Sequence, residues 1–103
     1  MRLSTIAGTL LAGGIAQAYE IVLYSEEGWS GEEASFSLDG NHQLGFKAHS
    51  WEWISPLGDG CCVRFCYNNS PVGYRCSPDA NYRSSSPIDE VATGCGENAL
   101  LDC

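Results

Sequence analysis

Six cysteines, Cys61, Cys62, Cys66, Cys76, Cys95 and Cys103, carry the most evident chemistry of this 103-residue chain. An even number of cysteines in a short chain with a secretory leader reads as a disulfide framework whose pairing spacing alone does not fix. The competing reading is a metal site, but the chain has no C-x-x-C pair and no C…H-x-x-x-H spacing, which tetrahedral zinc sites normally use. Bridges of this kind each add about 2–4 kcal/mol to a core too small to hold alone. In the run Cys61-Cys62-Val63-Arg64-Phe65-Cys66-Tyr67, strand alternation places Cys61, Val63, Phe65 and Tyr67 on one face and Cys62, Arg64 and Cys66 on the other. The first face is apolar and is expected to point inward. Cys61 and Cys62 then need different partners, and a bridge to Cys103 ties down the tail.

The remaining reactive side chains are less organised. His42 and His49 are the only histidines, and neither has a Cys, Asp or Glu at metal-ligand or catalytic spacing. Both are expected as solvent-facing loop residues. Ser84-Ser85-Ser86 lacks the G-x-S-x-G frame of a nucleophile elbow. The pairs Glu26-Glu27 and Glu32-Glu33 suggest acid–base chemistry only superficially. Adjacent residues on a strand or turn point apart, so these read as a solvated acidic edge that opposes strand-to-strand aggregation. Trp29, Trp51 and Trp53 offer either a binding platform or core packing, and core is favoured because large aromatics dominate burial in small domains. Asn68-Asn69-Ser70 matches an N-glycosylation sequon on an expected turn, followed by Pro71. No catalytic residue, metal or cofactor is expected.

The elements that must position these residues follow from the rest of the chain. Residues 1–18 have an Arg2 n-region, a short apolar stretch and the small-residue site Ala16-Gln17-Ala18, the layout of a secretory signal peptide cleaved before Tyr19. That apolar run is too short and glycine-rich for a membrane-spanning helix. The domain expected over 19–103 has 85 residues (103 less 18) and, with Arg2 gone, a net charge of -9 instead of -8. One small domain is all that length supports. An acidic surface repels phosphate backbones and anionic headgroups, so no nucleic acid and no membrane span are expected; the domain is read as a monomer.

From Tyr19 onward short alternating segments recur between Gly, Pro, Asn and Ser clusters, an all-β signal. Strands are expected at 20–24, between Trp29 and Leu38, at 50–54 and at 61–67, with short ones at 74–76 and 88–91. Turns fall at Ser25-Glu26-Glu27-Gly28, Asp39-Gly40-Asn41 and Asn68-Asn69-Ser70-Pro71. Segments 55–60 and 79–87 read as connections, and 95–103 as a tail. The same order of strand, turn, strand, polar connection and Ser-led strand occurs in 20–54 and again in 61–92, a near-repeat that suggests two four-stranded units in one sandwich.

Tyr24-Ser25-Glu26-Glu27-Gly28-Trp29-Ser30-Gly31 resembles the folded hairpin of βγ-crystallin Greek keys: an aromatic, an acidic turn, then aromatic-x-Gly. Ser50-Trp51-Glu52-Trp53 is similar to the family's Ser-led strand, and Ile21 and Phe36 occupy its apolar positions. The second unit, Phe65 to Gly73, matches more loosely: Gly73 parallels Gly31, Pro71 replaces the second aromatic and Cys66 the first. Ser86-Pro87-Ile88 opens its Ser-led strand. The resemblance covers roughly residues 20–93. It implies a disulfide-stapled sandwich of two Greek-key motifs, with Tyr24, Trp29, Gly31, Ser50 and Gly73 as its structural motif. Trp29 would lie over its hairpin, the Ser50 hydroxyl would bond back to that hairpin, and Trp51 and Trp53 would face the core. In the second unit bridges would replace aromatic packing.

Many microbial relatives in that family bind calcium through Asn/Asp residues before a Ser pair. Here the first unit carries Lys47 in the equivalent stretch. The second keeps Asn81, Ser85 and Ser86 but has Tyr82 for the second acid, leaving few of the anionic oxygens calcium prefers. The resemblance therefore implies a secreted, non-enzymatic protein of the toxin- or effector-like or antimicrobial kind, in the manner of killer-toxin-like proteins, acting on an extracellular protein or cell-surface target. The alternatives are a protease inhibitor presenting 55–60 or 78–87, and a structural or calcium-binding stress protein.

Overall fold

The computed structural model describes residues 19–56, 58–99 and 101–103; the leader expected over 1–18 lies outside them. The strands are β1 (Glu20–Glu26), β2 (Ser30–Phe36), β3 (Gly40–Ala48), β4 (Ser50–Ile54), β5 (Cys61–Tyr67), β6 (Ser70–Arg75), β7 (Asp79–Asn81) and β8 (Ile88–Cys95), followed by a 3-10 turn at Gly96–Ala99. Among the described residues no helix is long and apolar enough to cross a membrane.

The strands form two four-stranded antiparallel sheets, ordered β2-β1-β4-β7 and β3-β8-β5-β6. Each sheet therefore takes three strands from one half of the chain and one from the other: β3 crosses to the second sheet and β7 to the first. The inner strand β1 pairs on both sides, Ile21 opposite Phe36 on β2 and Trp53 on β4. Its Ile-Val-Leu-Tyr run is buried throughout, as expected of a strand covered on both faces.

One apolar cluster joins the sheets: Ile21, Leu23, Trp51 and Trp53 from the first, Val63, Phe65, Ile88 and Val91 from the second. Trp51 meets Phe65 across the interface with ring centroids 4.5 Å apart, and Trp53 packs on Tyr19 at 5.3 Å. The Tyr19 hydroxyl donates to Asp39 Oδ1 at 2.6 Å. Burial first, then the adjacent Asp39 carboxylate, pushes this phenol well above its ordinary range.

The three bridges are Cys61–Cys95, Cys62–Cys76 and Cys66–Cys103, all starting on β5. Cys61 and Cys62 do take different partners, and Cys103 does anchor the tail. Cys62 and Cys66, on the face opposite Val63 and Phe65, are buried too. The C-terminal segment accounts for this: Arg64 Nε donates to the Leu101 carbonyl at 3.0 Å and the Tyr74 hydroxyl to the Ala99 carbonyl at 2.9 Å, laying the tail over that side of β5 and β6.

Several expectations from the sequence need correction. Residues 40–48, read as a turn followed by no strand, form β3. Its inward positions His42, Leu44, Phe46 and Ala48 do alternate, but Gly45 sits at φ +83 and the register with β8 slips between Gln43 and Ala48. β6 begins at Ser70 because Asn68 and Asn69, at φ +53 and +63, make the turn alone; two positive-φ residues match the strand twist of a hairpin. Part of the polar connection 79–87 is β7, held by β4. β8 continues to Cys95 because it lies between β3 and β5, which supply partners to both its edges.

Candidate functional site

The β1–β2 hairpin is fixed from beneath by one hydroxyl. Ser50, fully buried at the start of β4, donates to the Glu26 carbonyl at 2.6 Å and accepts the Trp29 backbone N–H at 2.9 Å. The indole Nε1–H of Trp29 then donates to the Trp51 carbonyl at 3.1 Å. Ser25 Oγ accepts the Glu32 N–H at 2.8 Å, closing the hairpin from its other arm. Gly31 is at φ +89, and a Cβ there would collide with the Ser25 hydroxyl and lie 2.6 Å from Glu26 Cγ. Glycine is required at this crossing by both conformation and space.

The segment after β7 is sewn onto this hairpin. The Gly28 N–H donates to the Tyr82 carbonyl at 2.8 Å and the Ser84 N–H to the His49 carbonyl at 2.9 Å. Arg83 Nε lies 3.4 Å from Glu27 Oε1, an exposed pair worth little by itself. Above these bonds the rings of Trp29 and Tyr82 sit with centroids 6.2 Å apart at 57°. They are 42% and 61% exposed, against 2% for Trp51 and 1% for Trp53. The corner thus presents Trp29, Tyr82 and Arg83 to solvent on a braced backbone. Residues of these three types are enriched among the few that dominate binding energy at protein interfaces, since they offer large contact area and directed hydrogen bonds.

The other residues singled out from the sequence lie elsewhere. Neither histidine is a free loop residue. The His42 ring lies on β3, stacked on Phe36 at 4.4 Å, with Nε2 2.8 Å from the Leu38 carbonyl. His49 Nδ1 is 2.8 Å from the Ser25 carbonyl. Carbonyls only accept, so each of these nitrogens carries the proton and braces local structure. Glu32 and Glu33 are exposed on β2, an edge strand. Asn68 stands at the exposed tip of the β5–β6 turn, its N–H donating to Asp89 Oδ2 at 3.2 Å. Gly73 is not a counterpart of Gly31 in conformation: it keeps an ordinary φ, and a Cβ there would press on the Phe65 ring at 3.1 Å. Asn81 Oδ1 accepts the Arg83 N–H at 3.1 Å, and the Ser84 hydroxyl donates to the Ser86 carbonyl at 2.7 Å, so the polar groups around Asn81, Ser85 and Ser86 are partly committed within their own loop.

Tyr82 and Arg83 are the residues that sequence reasoning missed. Tyr82 is treated there only as the wrong residue for calcium. A large aromatic beside an arginine in a polar connection was the available signal for an exposed contact. Comparison of the chain with known protein families, characterised proteins and solved structures finds no match.

Proposed function

We propose that the chain is a secreted, non-enzymatic binding protein with a βγ-crystallin-like pair of Greek keys, and that the Trp29–Tyr82–Arg83 corner contacts its target. The fold part of this reading is supported by the exchange of β3 and β7 between the sheets and by the Ser50 hydroxyl on the hairpin. Secretion is supported by the leader-like residues 1–18 and by three disulfides, which persist in oxidising compartments. The action is of the toxin-like, effector-like or antimicrobial kind, directed at an extracellular protein or cell-surface component. The observation that carries it is the pair of exposed aromatics on a backbone bonded to the fully buried Ser50 hydroxyl. A rigid aromatic surface loses little entropy on binding.

Growth and viability assays of the oxidised protein on bacteria, yeasts and plant tissue test this. The expected result is inhibition or cell-surface binding of one group, weakened at least about tenfold by the Trp29→Ala/Tyr82→Ala double substitution, since interface aromatics contribute about 1.4 kcal/mol or more. Activity that the double substitution leaves intact, with the fold preserved, overturns the assignment of the corner.

A second reading, protease inhibition through 55–60, has its own observation. Asp59 accepts the Ser55 hydroxyl at 2.8 Å and the Cys61 N–H at 2.9 Å, and Gly96 N–H donates to the Gly60 carbonyl at 2.9 Å beside the Cys61–Cys95 bridge. Bonds of this kind at Ser55, Asp59 and Gly60 suit the flanks of an inhibitory loop. Assays against a panel of serine, cysteine, aspartic and metalloproteases distinguish it, because loss of the Trp29–Tyr82 corner leaves such inhibition unchanged.

A further inference from the structure

A small hollow of about 50 Å³ opens where the edges of the two sheets approach each other, beside the braced corner. By the yardstick of about 10–15 Å³ for one water, it has room for roughly four small atoms. Trp51, Phe65 and Ile88 line its base, and Arg75, Asn81 and Ser85 its polar wall. Arg75 is the one charged side chain there. Its Nε donates to Asp79 Oδ2 at 3.0 Å and its Nη1 to the Tyr74 carbonyl at 2.9 Å, while the guanidinium carbon lies 5.4 Å over the Trp51 ring. These contacts fix the plane of the group and leave Nη2 without a hydrogen bond among the described residues. The Asn81 side chain is oriented likewise: its Oδ1 accepts the Arg83 N–H, so the amide nitrogen is the end left to donate. Ser85 adds a hydroxyl with no partner among the described residues.

We infer that this hollow binds a small oxyanion, a carboxylate or a tetrahedral phosphate or sulfate group, with Arg75, Asn81 and Ser85 as donors. The chemistry of the wall favours an anion over a divalent cation, because Arg75 is a permanent cation whose ion pair with Asp79 engages Nε and leaves Nη2 facing no carboxylate partner among the described residues, and Asn81 and Ser85 are neutral donors. A guanidinium N–H to an anionic oxygen is a charge-assisted bond, stronger than one between neutral groups. The rest of the chain sharpens the selectivity of the argument. With a net charge of -8 the surface repels anions in general, and the larger hollow near the C-terminus is lined by Asp39, Glu97 and Asp102 and no cation. Anion binding here therefore needs this specific cluster.

Titration of the ¹⁵N-labelled oxidised protein with sodium phosphate, sodium sulfate and sodium acetate, followed by NMR, tests the site against a sodium chloride titration of equal ionic strength. The expected result is a saturable shift confined to the Arg75 Nε–H, the Asn81 side-chain amide and the Ser85 N–H, with affinity reduced at least tenfold by Arg75→Gln and less by Ser85→Ala. Saturation with phosphate or sulfate points to a free inorganic anion or ester group as the source. Saturation with acetate alone points to a carboxylate carried by a partner. Shifts that sodium chloride reproduces, or binding that survives Arg75→Gln unchanged, overturn the inference. If Arg75→Gln does not fold, Arg75→Lys and Ser85→Ala carry the test, and unaltered affinity in both refutes it.

Discussion

Replacement of Ser50 by alanine tests how the first hairpin is held and, through it, how the exposed corner is positioned. The hydroxyl is fully buried and serves both as donor to Glu26 and as acceptor for Trp29. Alanine keeps the Cβ and removes only the oxygen, so packing is barely altered. What changes is that a part-buried backbone carbonyl and a part-buried backbone N–H lose a fully buried partner. Each such orphan costs about 1–3 kcal/mol, and the two share one site, so Ser50→Ala is expected to cost about 2–4 kcal/mol. For a domain of this size that lowers the melting temperature by about 10 °C or more. Ser35, exposed on the edge strand β2, provides the control, with Ser35→Ala changing stability by less than about 0.5 kcal/mol. Urea unfolding gives the free energies, and hydrogen exchange of the Trp29 amide reports the local effect. If the hairpin lifts to admit water, the cost falls below the stated range but the Trp29 amide exchanges faster. A Ser50→Ala protein as stable as Ser35→Ala, with the Trp29 amide still protected, refutes the reasoning.

Gly31→Ala is expected to destabilise more than Gly28→Ala in urea titrations: both have positive φ, which costs about 1 kcal/mol or more for a side chain, but only Gly31 has Ser25 and Glu26 in the way. Tyr19 should make the fold labile to alkali. Its folded pKa is raised, so its contribution is complete below the ordinary phenol value of about 10 and falls away as the pH climbs above it, at up to about 1.4 kcal/mol per pH unit; a Tyr19→Phe protein whose stability declines as steeply between pH 10 and 12 contradicts this. Reduction of the three bridges should lower the stability of both sheets together, so that tryptophan fluorescence and far-ultraviolet dichroism report one transition. Two separated transitions would show instead that the halves unfold independently.

How far the sequence foretold these features depended on the range of the forces involved. Trp51 and Trp53 alternate with Glu52 inside five residues, and their burial follows from that pattern alone. The opposed directions of Cys61 and Cys62 likewise need only the strand period. β3 was hidden because its inward positions include His42, polar by type but stacked on Phe36, and because Gly45 interrupts the ladder. β7 has three residues and no apolar face; it exists because β4 offers an open edge. The pairing of the bridges was equally out of reach, since the partners of β5 are separated from it by 14 to 37 residues. The corner belongs to this second kind. Trp29 and Tyr82 are brought together by the bond from Gly28 to Tyr82, and no local pattern contains it.

The two halves of the chain reach similar ends by different means, and the strand exchange makes each depend on the other. The first half contains no cysteine and holds its hairpin by Ser50, Gly31 and the Trp29 indole. The second turns tightly through Asn68 and Asn69, and anchors its strands and tail with bridges that all leave β5. Yet β3, from the first half, completes the bridged sheet, and β7, from the second, completes the unbridged one. Constraint imposed by the disulfides is therefore passed to the first sheet through β7 and the segment that follows it. That segment carries Tyr82 and Arg83 and bonds to Gly28 and His49, so the exposed aromatics rest where the exchanged strand meets the hairpin. A surface in that position is braced from both halves of the fold, by the Gly28–Tyr82 bond on one side and the Ser84–His49 bond on the other.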